Sequence, residues 1–309
     1  MGLAVVLEGH GNAVAVPRMA ADRVGNTPLF RLNLFDSELP QGVEVLAKAE
    51  HLNPTGSVKD RAALAMIVEG EKSGKLRAGM TILDATSGNT GIAYAVLGGE
   101  RGYRVTVCLP KNASNQRKKI LRDYEVEIVE TDPMLSTDGA QRVARELYAA
   151  NPEKYFYPDQ YNNDANWRSH YETTANEIWT QTDGKMTHFV TGLGTSGTFV
   201  GVVRRLRELN PSLSAIAVQP ESPLHGLEGL KHMATAFRPG IFDPSLVDAT
   251  LEVSTEDALL MTSKLGIEEA ICVGPSSGAN VLATRSVALS LTSPAVVVTI
   301  LCDGGERYW

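Results

Sequence analysis

The chain has 309 residues, 43% of them hydrophobic, and a formal net charge of -7. The length fits two domains, and the apolar content is enough to bury both, which excludes a disordered chain. The negative balance argues against a nucleic-acid surface, which needs clustered positive charge. No stretch approaches the roughly 18 apolar residues that span a bilayer.

Residues 1–23 carry little pattern and read as an arm that packs on the body or on a partner. Met1 to Val6 is apolar, but Glu8 and Gly9 end it too soon for a signal peptide. Val43 to Lys48 predicts a strand, and a helix runs from Asp60 to Lys72, stopped near Gly74. Met80 to Ala85 predicts a strand, Ile92 to Gly98 a helix, and Arg104 to Leu109 a strand stopped by Pro110. Ser114 to Tyr124 is a helix, Glu125 to Val129 a strand and Thr137 to Ala150 a helix. After Asn163 the rhythm resumes with a helix from Trp167 to Thr182, a strand at His188 to Thr191 and a helix from Phe199 to Leu209. Strands follow at Ser214 to Val218 and Ala295 to Leu301. Residues 220–250 have weak periodicity and read as a long, partly mobile loop region. Short apolar strands alternating with helices predict an α/β fold, with a parallel sheet covered on both faces.

The cysteines Cys108, Cys272 and Cys302 form no C-x-x-C pair, so neither a zinc site nor a disulfide framework is expected. That usage fits a reducing cytoplasm, and the expectation is a cytosolic protein with no metal.

Four turns carry the chemistry. Asn53-Pro54-Thr55-Gly56-Ser57-Val58-Lys59-Asp60-Arg61 places a lysine at a helix head, where a cation is mildly unfavourable, so by itself it reads as a surface residue. Thr86-Ser87-Gly88-Asn89-Thr90-Gly91 and Gly194-Thr195-Ser196-Gly197-Thr198 each join a strand to a helix. There, converging N–H groups and hydroxyls can hold an anion, although either could be an ordinary turn. In Pro275-Ser276-Ser277-Gly278 either serine can serve as a helix N-cap. Gln160 reads equally as a loop hydrogen bond, Cys302 as a small buried residue and Lys231 as a solvated loop lysine. The most basic run, Arg117-Lys118-Lys119, reads as a solvated helix face.

In this order and spacing the four turns resemble the fold-type II pyridoxal phosphate (PLP) enzymes, specifically the cysteine synthases (O-acetylserine and O-phosphoserine sulfhydrylases). The resemblance runs from Val24-Gly25-Asn26-Thr27-Pro28-Leu29 to Arg307-Tyr308. It implies a tryptophan synthase β-like architecture of two three-layer α/β/α domains with PLP between them. Residues 53–163 would form the smaller domain with the substrate-carboxylate loop, and 1–52 plus 164–309 the larger domain with the phosphate loop.

The resemblance also implies roles. Lys59 would be the Schiff-base lysine and the base that removes the Cα proton. Thr86, Ser87, Gly88 and Thr90 would grip the substrate carboxylate with Gln160, and Asn89 would meet the cofactor's 3′-oxygen. Gly194, Thr195, Ser196, Gly197 and Thr198 would hold the phosphate, with Ser196 standing where the family usually has glycine. Ser276 would meet the pyridine nitrogen and, being neutral, would leave it largely unprotonated, a weaker electron sink that suits elimination. Cys302 and the run Arg238 to Asp248 are similar to the B-type enzymes. Lys231 stands where B-type and O-phosphoserine-using relatives carry an arginine that can reach the substrate's β-group. The expected reaction is β-replacement, making cysteine from O-acetylserine or O-phosphoserine and sulfide or a sulfide donor. Alternatives are a cystathionine β-synthase, a serine/threonine dehydratase-type lyase, or a non-catalytic ligand-binding protein. The expected assembly is a homodimer, with a sulfide-carrier protein or a serine acetyltransferase left open as partner.

Overall fold

A computed structural model describes residues 19–86 and 88–308. The expected arm is thus largely outside the described residues; at its end the Ala20 and Ala21 amides donate to Glu100. In chain order the regular elements begin with β1 (Leu29–Arg31), β2 (Val43–Ala49), α1 (Lys59–Lys72), β3 (Thr81–Ala85) and α2 (Asn89–Gly99). Next come β4 (Arg104–Pro110), α3 (Asn115–Asp123), β5 (Glu127–Thr131), α4 (Ser136–Ala150), β6 (Tyr155–Phe156), α5 (Asp164–Ser169) and α6 (Ala175–Gln181). The remainder are β7 (His188–Gly192), α7 (Gly197–Leu209), β8 (Ser214–Pro220), β9 (Ala249–Val253), α8 (Thr255–Glu268), α9 (Pro275–Ser290) and β10 (Ala295–Leu301).

The strands form two sheets, one in the order β1-β2-β10-β7-β8-β9 and one in the order β5-β4-β3-β6. The first is parallel except at its edge, where β1 runs antiparallel to β2, a departure from the wholly parallel expectation. β10, Ala-Val-Val-Val-Thr-Ile-Leu, is buried along nearly its whole length, as a central strand of a covered sheet requires. Alternation sends its side chains both ways. Val297 packs with Met261, Leu265 and Ala283 of α8 and α9, while Val298 and Ile300 pack with Ile178, Phe199 and Val203 of α6 and α7. The smaller sheet is likewise covered twice. Ile82 and Val107 meet Met66, Ile67 and Leu97 of α1 and α2, and Leu83 and Cys108 meet Ala140 and Ala144 of α4.

Local chemistry sets the helix ends. The Ser114 side chain accepts from the Arg117 amide at the head of α3, and Ser254 accepts from the Asp257 amide at the head of α8. α9 starts at Pro275, whose missing N–H costs nothing in a first turn. The residue preceding it, Gly274, is the N-cap, so neither Ser276 nor Ser277 caps the helix as their sequence position suggested. Between α5 and α6 the helix widens to a π turn at His170–Thr174. Segment 221–243 contains no helix or strand, as expected, but the loop ends where β9 begins.

Candidate active site

The parallel strands bring their C-terminal ends together, and these ends carry the marked turns: β3 leads into Thr86, β7 into Gly194 and β10 into Cys302. One cavity is lined by Lys59, Asn89, all five residues of the 194–198 turn, Ser276 and Cys302. A second, of about 800 Å³, adjoins it and is lined by Lys59, Thr86, Thr90, Gln160 and Lys231 among others. Lys59 lies in the wall of both and forms no ion pair among the described residues. Ser87 lies outside the described residues, and Gly88, at φ +144°, is the N-cap of α2.

The 194–198 turn is a backbone cradle. Ser196 has a left-handed φ of +67°, which turns the chain sharply into the 13-residue α7. A Cβ at Gly194 would lie 2.1 Å from the Gly229 carbonyl oxygen, and one at Gly197 would lie 2.0 Å from Asn166 Oδ1. Only glycine lets the segment pass, and the amides at the head of α7 face an anion favourably. Asn166 Nδ2 donates to Thr195 Oγ1 at 3.1 Å and to the Gln160 carbonyl at 2.7 Å, which ties this cradle to the other loop. Behind it, His170 Nε2 faces Thr198 Oγ1 at 3.3 Å; burial, with the nearby Arg61 charge, pushes this histidine down to about 3 and keeps it neutral.

Gln160 is buried, and both ends of its amide are engaged within the protein. Its Oε1 accepts from Thr90 Oγ1 at 2.9 Å and its Nε2 donates to the Ala85 carbonyl at 2.7 Å. It holds the 86–91 loop in place, closer to the loop-bond reading than to a free ligand. Asn89 is gripped by the C-terminal run, a contact that sequence patterns did not signal. Its Nδ2 donates to Asp303 Oδ2 at 2.6 Å and its Oδ1 accepts from Arg307. Tyr308 donates to the same Asp303 oxygen at 2.6 Å, while Asp303 Oδ1 is buried with no hydrogen-bond partner among the described residues.

Three readings from sequence are corrected. Arg117 and Lys118 are not on a solvated face. Arg117 is buried in the cavity wall, paired with Glu228 and stacked 4.8 Å from the Tyr308 ring centre, and Lys118 is buried against Glu130 at 2.7 Å; Lys119 alone is exposed. Lys231 is not a solvated loop lysine: it is buried, and its Nζ pairs with Asp138 Oδ1 at 2.8 Å. Ser277 accepts from the Cys302 amide at 2.8 Å instead of capping α9. Cys302 is half-buried, and burial, reinforced by Asp303, pushes its thiol up to about 11, so it is protonated at neutral pH.

A buried ion network anchors the head of α1. Arg61 forms a two-pronged pair with Glu50 at 2.7 Å and a second pair with Glu177, which also meets Lys48 at 2.7 Å. Burial disfavours the Glu177 carboxylate, but Arg61 and Lys48 override it and hold the group down at about 2. The signal was present as Lys48 near the end of β2 and Glu50 just beyond it, beside buried apolar residues. The network fixes Lys59, the first residue of the same helix, against the larger sheet.

A glycine cradle at a helix head, a lysine with no ion pair among the described residues and a buried serine line one cavity, a set that suits the phosphate, aldehyde and ring nitrogen of PLP. The family described as pyridoxal-phosphate dependent enzyme matches residues 20–303. A cysteine synthase of Aquifex aeolicus is 48% identical over 92% of this chain and 88% of its own length. Cysteine synthase B of Escherichia coli is 42% identical over 92% of each. The crystal structure of an Entamoeba histolytica cysteine synthase superposes with a TM-score of 0.89 at 32% identity, covering 98% of this chain and 92% of that one. By fold, site and these likenesses, the chain belongs to the pyridoxal-phosphate-dependent enzymes, in the cysteine synthase family.

Proposed function

We propose that this site makes L-cysteine from an activated serine, O-acetylserine or O-phosphoserine, and sulfide or a sulfide donor. The observation that carries the reading is Lys59, with no ion pair among the described residues, in the wall shared by the glycine cradle and the larger cavity. When bound, PLP supplies the electron sink that allows a Cα proton and a β-substituent to leave. Lys59 would be the amine that holds the cofactor and the base that takes the Cα proton. Gly194 to Thr198 would hold the phosphate, Ser276 would meet the ring nitrogen, and Asn89, held by Asp303 and Arg307, would meet the ring edge. The 86–91 loop, braced by Gln160, receives the substrate carboxylate. Lys231 faces the β-substituent with its charge shared by Asp138.

Residues 53–163 and 1–52 plus 164–309 are read as the two domains that meet at this site, each around its own sheet. The enzyme is read as a cytoplasmic homodimer. Unpaired cysteines support the compartment, and no helix among the described residues is long and apolar enough to cross a membrane. The test is turnover of the PLP-loaded protein with each activated serine and sulfide, followed by cysteine formation. Cysteine from wild type and none from Lys59→Ala is expected; cysteine at wild-type rate from the variant removes Lys59 from the reaction.

A further inference from the structure

Asn89 is held by two groups of opposite kind. The Asp303 carboxylate only accepts, and it takes a hydrogen from Asn89 Nδ2 at 2.6 Å. The Arg307 guanidinium only donates, and it reaches Asn89 Oδ1. Turning the amide over would set Nδ2 against the guanidinium and Oδ1 against the carboxylate, two repulsive contacts in place of two charge-assisted bonds. The amide is thereby fixed in one orientation.

Neither partner is free to move. Asp303 is 1% exposed, its backbone carbonyl accepts from the Gly274 amide at 3.0 Å, and it bridges to Ser57 in the turn before Lys59. Its Oδ2 also accepts from the Tyr308 hydroxyl at 2.6 Å, and a Cβ at Gly274 would lie 2.4 Å from its Oδ1. Arg307 is buried and donates as well to the Thr55 carbonyl, in the same turn. A buried charge is a poor source of stability, and here one carboxylate oxygen has no hydrogen-bond partner among the described residues. That cost points to a task beyond packing. Asn89 opens α2 and shares a cavity wall with Lys59. One of its two N–H groups goes to Asp303, and the other is the donor left for a ligand.

We propose that Asp303 is a positioning residue: it holds Asn89 with an N–H toward the cavity, so that the 3′-oxygen of bound PLP meets a donor and is kept as an anion. This rests on the PLP reading above. Asp303 itself does not touch the cofactor; it acts through Asn89, and Arg307 bars the opposite orientation.

The test is a double-mutant cycle on PLP affinity, read by fluorescence titration of the full-length chain, with Lys59 intact throughout. Asp303→Ala should weaken PLP binding about tenfold, the scale of a lost hydrogen bond to a charged group. Asn89→Ala should weaken it at least as much, and the double variant should bind no more weakly than Asn89→Ala alone. The visible absorption band of bound PLP should shift in the same direction in both single variants. Asp303→Asn, of the same size, can still accept from Asn89 but without the charge, so it should show a smaller loss that Asn89→Ala again cancels; this variant carries the cycle if Asp303→Ala does not fold. Losses that add in the double variant, or a wild-type band in Asp303→Ala, overturn the inference and leave the PLP reading intact. A wild-type chain that takes up no PLP overturns that reading, and this inference with it.

Discussion

Replacing Lys231 with alanine tests how this enzyme recognises its leaving group. The lysine is buried, and its Nζ lies 2.8 Å from Asp138, a carboxylate whose side chain is 22% exposed and which also accepts from the Phe237 amide at 2.7 Å. On the proposed role of Lys231, a phosphate on the β-carbon shares the ammonium with Asp138. A hydrogen bond to a charged group contributes ~1.5–3 kcal/mol, and the competing carboxylate places this one at the lower end, about tenfold in kcat/KM for O-phosphoserine. O-acetylserine, whose ester is neutral, should change much less. The variant also strands Asp138. Breaking a fully buried pair costs ~3–5 kcal/mol, and the residual exposure and amide bond of Asp138 reduce this to ~1–2 kcal/mol of stability. Asp138→Asn should act in the opposite sense on O-phosphoserine, because it frees the ammonium. The assay is steady-state kinetics with both activated serines for the two variants, with thermal melts alongside. Equal losses for both substrates in Lys231→Ala, or no gain with O-phosphoserine in Asp138→Asn, would refute leaving-group selection by this pair.

Ser276→Asp should keep the cofactor, seen by its absorbance, but slow cysteine formation relative to side transamination, because a protonated ring nitrogen is a stronger electron sink; unchanged partitioning would remove Ser276 from control of the ring. Gly197→Ala forces a Cβ to within 2.0 Å of Asn166 Oδ1 and should weaken PLP binding about tenfold or more in a fluorescence titration; affinity equal to wild type would show that the cradle can shift. Asp84 is fully buried on β3, and burial raises its carboxyl to about 7 despite bonds from the Tyr94 hydroxyl and the Ala85 amide. A raised folded pKa means stability that is present at low pH and is lost as pH rises from about 4 through about 7. Melting temperatures of Asp84→Asn should therefore gain on wild type between pH 5 and 8, and parallel curves would contradict the assignment.

Much of this was legible because it is local. The strand-turn-helix rhythm rests on runs such as Val296-Val297-Val298 and on glycines at Gly194 and Gly197, whose neighbours in sequence determine what they do. What was missed is long-range. Arg117 sits in a basic run that looks solvated, and only the folded chain brings Tyr308 and Glu228 to it. Lys231 and Asp138 are far apart in sequence, so no pattern pairs them. The sequence pattern does not assign α8 and marks only the head of α9, because both helices have mixed periodicity. Ser276 was expected at the pyridine end of the site and lines the cavity, but its alternative as a helix cap could be dismissed only from the geometry around Gly274.

The position of β10 also decides the order in which the molecule can be assembled. This strand, among the last segments of the described chain, lies between β2 and β7, with Ala295 in register with Val43 and Val297 with His188. The small sheet, complete by Phe156, can close before β10 is made, whereas β2, paired with β1, and β7, paired with β8, each keep one open edge until β10 is inserted between them. Pairings of such separation close slowly, and open strand edges invite association with other chains. Refolding of this enzyme should therefore be concentration-sensitive at the step that inserts β10. The cleft, which needs Cys302 and Asp303 just beyond that strand, cannot form before β10 is in place.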